Sequence, residues 1–392
     1  MAEMELFDIV VIGAGIHGAG VAQAAAAAGY RVLVVERTAP AAATSSRSSK
    51  LIHGGLRYLE TGQVRLVREA LREQRLLLRN APELVRPLRF YLPIYRNTGR
   101  RSHQVRMGLM LYTLLGNHRG FRRVPLRQWE NPDDLDTRDL EAVFTYQDAQ
   151  TDDAALTRAV LGSAMGLGAK LECPAEVVEI KHMTRGYLVE YRKGDTLHGR
   201  YASAVVNAAG PWVNEVLARV RPRQAPLALE PVQGAHLLVS GAMAAGGYYL
   251  EAPRDRRGVF ALPWRDDLTL VGTTESRCPD DPGDVRPLPE EIDYLREVFA
   301  HYFPTRACEV TDAYAGVRML PSGSGAAFVR SRETLLASNA QSPPRLLTVC
   351  GGKLTTYRAT AQKVLRRLIE ALPEPRPRPK ADTRTIWLMP VD

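Results

Sequence analysis

Three groups of residues in this sequence have types and spacings that could do chemistry. Gly13, Gly15 and Gly18 form G-x-G-x-x-G, and Glu36 ends the apolar run that follows. The first glycine allows a sharp turn, the second lets backbone approach a pyrophosphate, and the third lets a helix pack closely on a strand. A carboxylate at Glu36 can accept bonds from a ribose 2′-hydroxyl and disfavours a 2′-phosphate, so NADP is not expected. These residues do not decide between NAD and FAD. The second group, residues 44–58 (TSSRSSKLIHGGLRY), crowds hydroxyls before Lys50, His53, a glycine pair, Arg57 and Tyr58. A loop of this kind can offer N–H and hydroxyl donors to a flat polar ring, with glycines permitting close approach. The third group, residues 350–356 (CGGKLTT), is a glycine-rich helix start carrying a lysine and two hydroxyls, a second anion-binding N-terminus.

The elements that must hold these groups are legible around them. Residues 9–12 are apolar and mostly β-branched, as in a strand buried on both faces. The alanine-rich residues 20–28 read as a helix whose N-terminal N–H groups and dipole face the phosphates. Residues 32–35 make the next strand. Residues 63–80 show a helical pattern with Leu66, Leu71, Leu77 and Leu78 on one face. Residues 88–95 read as a strand, 103–115 as an apolar helix, and Asp152 with its neighbours caps a helix from residue 154. Three alternating segments, 169–173, 177–182 and 187–192, read as a small antiparallel excursion. Residues 204–207 return to the buried sheet and lead into the small-residue turn 208–212. A second sheet is expected over 225–315, with a hairpin turn at 265–267. The last helix is expected over 355–372, and the Pro- and Arg-rich chain from residue 373 is expected to lack a packed core.

The 392 residues suffice for two domains with proper cores, and 45% apolar with 24% charged residues is ordinary globular composition. The formal charge of +9 favours an anionic small molecule, an acidic membrane surface or nucleic acid as partner. Nucleic acid is disfavoured because the arginines lie in amphipathic helices without interleaved aromatics, which total only 7%. The basic last helix and residues 86–127 could lie on an anionic leaflet. Cys173, Cys278, Cys308 and Cys350 stand far apart, so neither a zinc site nor a disulfide framework is indicated, and a reducing cytoplasm fits. The uncharged residues 9–30 are explained by strand–turn–helix grammar, and no export or membrane-spanning segment is expected.

Taken together, the blocks DIVVIGAGIHGAG, ATSSRSSKLIHGGLRYLE, VNAAGPWV, YAGVRMLP and GGKLTTYR resemble the FAD-dependent, quinone-linked glycerol-3-phosphate dehydrogenases, of the D-amino-acid-oxidase-like superfamily. The resemblance runs from residue 8 to about residue 360, and the second and last blocks are specific to that family. It implies an α/β fold: a Rossmann-like FAD-binding domain with an inserted mixed α+β substrate domain built on an antiparallel sheet. The FAD-binding parts would be residues 1–80, 146–222 and 316–373. The substrate parts would be 81–145 and 223–315, and 374–392 would be a tail. Members of the family continue into a helical C-terminal domain beyond this point.

By the same resemblance the cofactor is FAD. Gly13, Gly15, Gly18 and Glu36 would hold its ADP half, and Thr44, Ser45, Ser49, Lys50, Leu51 and His53 would run beside the isoalloxazine. Val177 would reach the adenine side, Ala209, Gly210 and Trp212 would lie near the cofactor, and Leu354 and Thr355 would meet the pyrimidine edge. The substrate residues would be Arg57, Tyr58, Arg332, Lys353 and Thr356, with His236 as proton acceptor and Arg318 orienting the oxygen. A phosphate dianion calls for several cations, and arginine forks suit its oxygens. The reaction implied is oxidation of sn-glycerol 3-phosphate to dihydroxyacetone phosphate, with electrons passed to a quinone. The alternative is another FAD oxidoreductase acting on a 2-hydroxy acid or an amino acid. On residue grounds alone His236, in an apolar strand, reads first as a core histidine, Arg318 as a surface residue, and the register through RSRETL allows either Arg330 or Arg332.

Overall fold

In the computed structural model the described residues are 5–116, 120–125, 129, 133–278, 281–322, 333–339 and 342–391. Arg330 and Arg332 lie outside them.

The chain builds two sheets. The first is the nucleotide sheet. Its central strand, Leu6–Ile12, pairs in parallel with Val32–Val35 on one side and with Thr196–Asn207 on the other. Residues 7–12 of that strand are buried, as expected for a parallel strand covered on both faces. Helix α1 is Ile16–Ala27, and it starts earlier than the alanine run because Gly18 sits within its first turn. Helix α2 is Val64–Asn80 and α3 is Ser102–Gly116. Helix α4, Asp153–Gly166, is capped by Asp152, whose side chain accepts from the Ala155 N–H at 3.0 Å. Helix α4 packs against α1, completing the strand–helix layering.

Two readings of this sheet need correction. Lys170–Glu172 is not part of the antiparallel excursion; it pairs in parallel with Val32–Val35 and extends the main sheet. The excursion is formed instead by Glu176–Met183, Gly186–Lys193 and the first half of Thr196–Asn207. That last strand is longer than its buried end indicated, because its outer half alternates for one-sided burial.

The second sheet is mixed but mostly antiparallel. It contains Val85–Tyr95 and Leu140–Thr151, paired over their whole lengths, and Leu229–Ser240 paired with Val310–Pro321. Helix α5 is Val213–Ala218, and α6, Pro289–Tyr302, packs on this second sheet. Two of its strands overrun the expected domain limits at 145 and 315, since each stays paired until the chain reaches the cofactor side. Leu346–Gly351 then returns to the nucleotide sheet, with Thr334–Ser338 as an edge strand that the sequence did not signal.

The last helix is shorter than expected. A 3₁₀ turn, Leu354–Thr356, precedes α7, Tyr357–Leu368. Two of its basic side chains are paired: Arg358 forks onto Glu73 at 2.6 and 2.7 Å, and Lys363 meets Glu69 at 2.7 Å, while Arg366 and Arg367 are exposed. The tail is not free either. The Lys380 N–H donates to Ala27 O, the Leu388 N–H donates to Asn80 O, and Leu388 is buried. It straps the far ends of α1 and α2. Among the described residues, no helix is long and apolar enough to cross a membrane.

Candidate active site

The C-terminal ends of the central strands open onto a continuous cavity of about 550 Å³, bordered also by the second sheet. Gly13 has φ +98°, and a Cβ there would stand 2.7 Å from Ala208 O, so only glycine makes this turn. Gly15 precedes α1 and, like Gly13, lines the cavity. Gly18 does not line it. A Cβ there would collide with Gly13 O, so Gly18 serves close packing of helix on turn. The first turn of α1 has no acidic residue, which leaves its dipole open to an anion.

Glu36 lines the cavity while accepting from the Ala14 N–H at 2.7 Å and the Thr38 N–H at 2.9 Å. It therefore clasps the glycine turn and keeps lone pairs for ribose hydroxyls. Val177, Ala209, Gly210 and Trp212 also line the cavity, and Arg37 stacks over the Trp212 ring.

In the second loop Thr44, Ser45, Ser49, Leu51 and His53 all border the cavity. Thr44 Oγ1 donates to Val317 O at 2.7 Å, and Ser45 Oγ accepts from the Ile16 N–H at 2.9 Å. This loop is thus tied to both the second sheet and α1. Lys50 departs from the expectation. It does not line the cavity; its ammonium forms a buried pair at 2.5 Å with Asp153, which does line it, and also donates to Ser46 O. It anchors the loop, since an ammonium in the interior needs an opposite charge and further acceptors.

Lys353, Leu354 and Thr355 line the third side. The His53 N–H donates to Thr355 Oγ1 at 3.1 Å, which joins the second and third loops. Lys353 Nζ donates to Gly54 O at 3.2 Å and lies 3.8 Å from the Tyr58 ring centroid. Tyr58 borders the cavity; Arg57 and Thr356 do not, Thr356 being buried with its hydroxyl on Lys353 O.

His236 and Arg318, on the paired strands of the second sheet, both reach the cavity. His236 stacks on Tyr314, its ring centroid 4.9 Å away, and its Nε2 lies 2.9 Å from Ser49 Oγ. Burial, then the charges of Arg318 and Lys50, lower its imidazole to about 3, so it is neutral near pH 7. Its Nδ1 is buried without a hydrogen-bond partner among the described residues.

His17 was missed. It borders the cavity, its Nε2 meets Gly351 O at 2.9 Å, and burial lowers it to about 4. It occupies a variable position of the glycine motif, to which spacing assigns no role. The available signal was that it is the only titratable side chain between Asp8 and Tyr30.

These features fit FAD. A side-chain-free turn at a helix N-terminus suits a pyrophosphate, and Glu36 suits a ribose. The cavity then continues between hydroxyl-rich loops to buried polar atoms such as His17 Nδ1 that lack partners among the described residues.

Comparison with known proteins agrees. The family model described as FAD dependent oxidoreductase matches residues 8–358. The chain is 37% identical over 383 residues to D-erythritol 1-phosphate dehydrogenase of Brucella abortus, covering 95% of this chain and 76% of that protein. It is 36% identical over 373 residues to the aerobic glycerol-3-phosphate dehydrogenase of Escherichia coli, covering 93% and 74%. The glycerol-3-phosphate dehydrogenase of Bacillus halodurans, solved with FAD, superimposes with a TM-score of 0.75 at 26% identity, over 98% of this chain and 68% of that one. This protein is an oxidoreductase with FAD as its cofactor, and it belongs to the FAD-dependent oxidoreductases of the glycerol-3-phosphate dehydrogenase family.

Proposed function

We propose that the protein oxidises sn-glycerol 3-phosphate to dihydroxyacetone phosphate and passes the electrons to a quinone. The observation that carries this reading is the convergence of a neutral imidazole, His236, with the cations Arg318 and Lys353 in the cavity that also holds Glu36 and the glycine turn. FAD supplies the two-electron acceptor for the hydride leaving C2. The protein's own residues handle the remaining charge. Lys353 and Arg318 hold the phosphate dianion and the C2 oxygen, and His236 takes the hydroxyl proton. Protonating an imidazole beside Arg318 is unfavourable in the free protein, and the incoming dianion offsets that cost.

A second reading is a longer polyol phosphate as substrate, favoured by the similarity to the Brucella abortus enzyme at 37% identity. Anaerobic titration tests both. Bleaching of the bound flavin by glycerol 3-phosphate, with slower or no bleaching by D-erythritol 1-phosphate, supports the first reading, and the reverse order supports the second. Bleaching by lactate or an amino acid alone overturns both.

Delivery to a quinone calls for contact with the membrane, and α3 supports it. Met107, Met110, Leu111 and Leu114 form an exposed apolar stripe on that helix, opposite the buried Val105, Leu109 and Tyr112. The exposed Arg101, Arg106, Arg122 and Arg123 stand beside it in the chain. Such a face dips its apolar stripe into lipid while arginines meet anionic headgroups, worth about 1 kcal/mol each. On α7, Arg358 and Lys363 are paired within the protein, which leaves Arg366 and Arg367 as the exposed cations of that helix.

A further inference from the structure

A polar cluster is buried under the loop that carries His53 and Gly54, inside an otherwise apolar core between α2, α3 and the second sheet. The Gly54 N–H donates to Tyr112 Oη at 2.8 Å, and the Tyr112 hydroxyl donates to Asp148 Oδ1 at 2.8 Å. Gln74 Nε2 donates to the same oxygen at 2.7 Å and to Ile52 O at 2.8 Å. Gly54 is packed so tightly that a Cβ would stand 2.6 Å from the Leu71 side chain and 2.7 Å from Tyr112 Oη. The Gly54 carbonyl faces the other way and accepts from Lys353 Nζ. One peptide-linked residue therefore receives the cluster on its N–H and the cavity's lysine on its carbonyl.

Burying a carboxylate, a phenol and an amide in an apolar core costs stability unless they are mutually satisfied, and apolar residues of the same size would serve packing alone as well. Their arrangement makes sense as a means of fixing Gly54. We propose that Tyr112, Asp148 and Gln74 are positioning residues that act through Gly54 to hold the Lys353 ammonium where it meets the phosphate of the substrate. This deepens the proposed function and rests on it for the identity of that anion.

The proton on Asp148 gives the cluster a signature. Burial raises its carboxyl to about 7, against the lowering effect of hydrogen bonds from Tyr112, Gln74 and Gly54 and of the Lys353 charge. The titratable and charged groups facing it are Tyr112 from α3, Tyr146 on its own strand, and Lys353 across Gly54. Helix α2 presents the neutral Gln74, and the paired strand places Leu88 opposite it.

The test is Tyr112→Phe in the holoenzyme, with Gln74→Leu as a companion. In each, KM for glycerol 3-phosphate should rise about tenfold with kcat changed less than about twofold, the size of one lost buried hydrogen bond. Flavin content should stay as in wild type. In Tyr112→Phe the pH at which KM changes should move upward, because a bond that lowers Asp148 is gone while the substrate's own ionisation is the same. In a Lys353→Ala background Tyr112→Phe should add nothing further. Acetylation of Lys353 by an amine-directed reagent, read by mass spectrometry, should be severalfold faster in Tyr112→Phe. If wild type is not reduced by glycerol 3-phosphate, the substrate reading fails, and the acetylation rate alone decides the fate of the cluster. Unchanged KM together with unchanged Lys353 acetylation overturns the proposal.

Discussion

Ser49 Oγ and His236 Nε2 stand 2.9 Å apart, linking the loop that follows Glu36 to the strand Leu229–Ser240 of the second sheet. The pair joins the hydroxyl-rich loop wall of the cavity to the wall formed by the second sheet. It also fixes one ring nitrogen of an imidazole whose other nitrogen has no partner among the described residues.

His236→Asn should slow anaerobic flavin reduction at saturating substrate by about 10²–10⁴-fold, the usual contribution of a positioned base, with KM changed far less. Ser49→Ala should slow it less, by releasing the ring. Stopped-flow bleaching of the flavin reads both, and wild-type reduction rates in His236→Asn would remove the residue from the mechanism.

The two buried histidines predict the sign of the acid dependence of stability. Their imidazoles lie at about 3 for His236 and about 4 for His17, below the ordinary value of 6.5. Below that ordinary value the unfolded chain takes up protons that the native state does not. The stabilisation from keeping these rings neutral is therefore fully present above 6.5 and lost as pH falls toward 3 to 4. Asp148, raised to about 7, acts in the opposite sense between 3.8 and 7. Calorimetric midpoints should climb from pH 4 to 6.5 in wild type, and less steeply in His17→Asn.

Lys50→Met should destabilise the holoprotein by about 3–5 kcal/mol, because it leaves the Asp153 carboxylate buried without its cation. Lys50→Met combined with Asp153→Asn should cost less than the sum of the two single changes. Denaturant midpoints measure this, and a near-neutral Lys50→Met would refute the anchoring role.

Glu36→Ala removes both the expected ribose acceptor and the clasp on the Ala14 N–H. It should raise the dissociation constant for FAD by about 10- to 100-fold, the loss of one charge-assisted hydrogen bond at about 1.5–3 kcal/mol. Flavin fluorescence during reconstitution reports it, and full flavin retention would count against the assignment.

Replacing Met107 and Leu114 on α3 by Gln should weaken binding to anionic vesicles while leaving turnover with a soluble electron acceptor unchanged. Cosedimentation measures the first and a dye-linked assay the second. Equal binding of wild type to neutral and anionic vesicles would refute the electrostatic part of the contact.

Local physics made part of this protein legible in its sequence. A β-branched run, a glycine turn, an alanine helix and a terminal acid can form only one close-packed unit, so Gly13, Gly15, Gly18 and Glu36 could be assigned together. Asp152 could be read as a cap and residues 265–267 as a hairpin turn for the same reason: their partners lie within a few residues. Tertiary structure decided the rest, where neighbours in space are distant in sequence. Ser49 faces the cavity while the adjacent Lys50 turns to Asp153, because a buried ammonium goes where an opposite charge awaits it. The tail becomes a strap because α1 and α2 leave backbone carbonyls within its reach, and the buried His17 and Asp148 depend on contacts hundreds and tens of residues away in the chain. Composition and spacing describe the chain along its length, whereas desolvation and hydrogen-bond partners depend on how it folds back on itself.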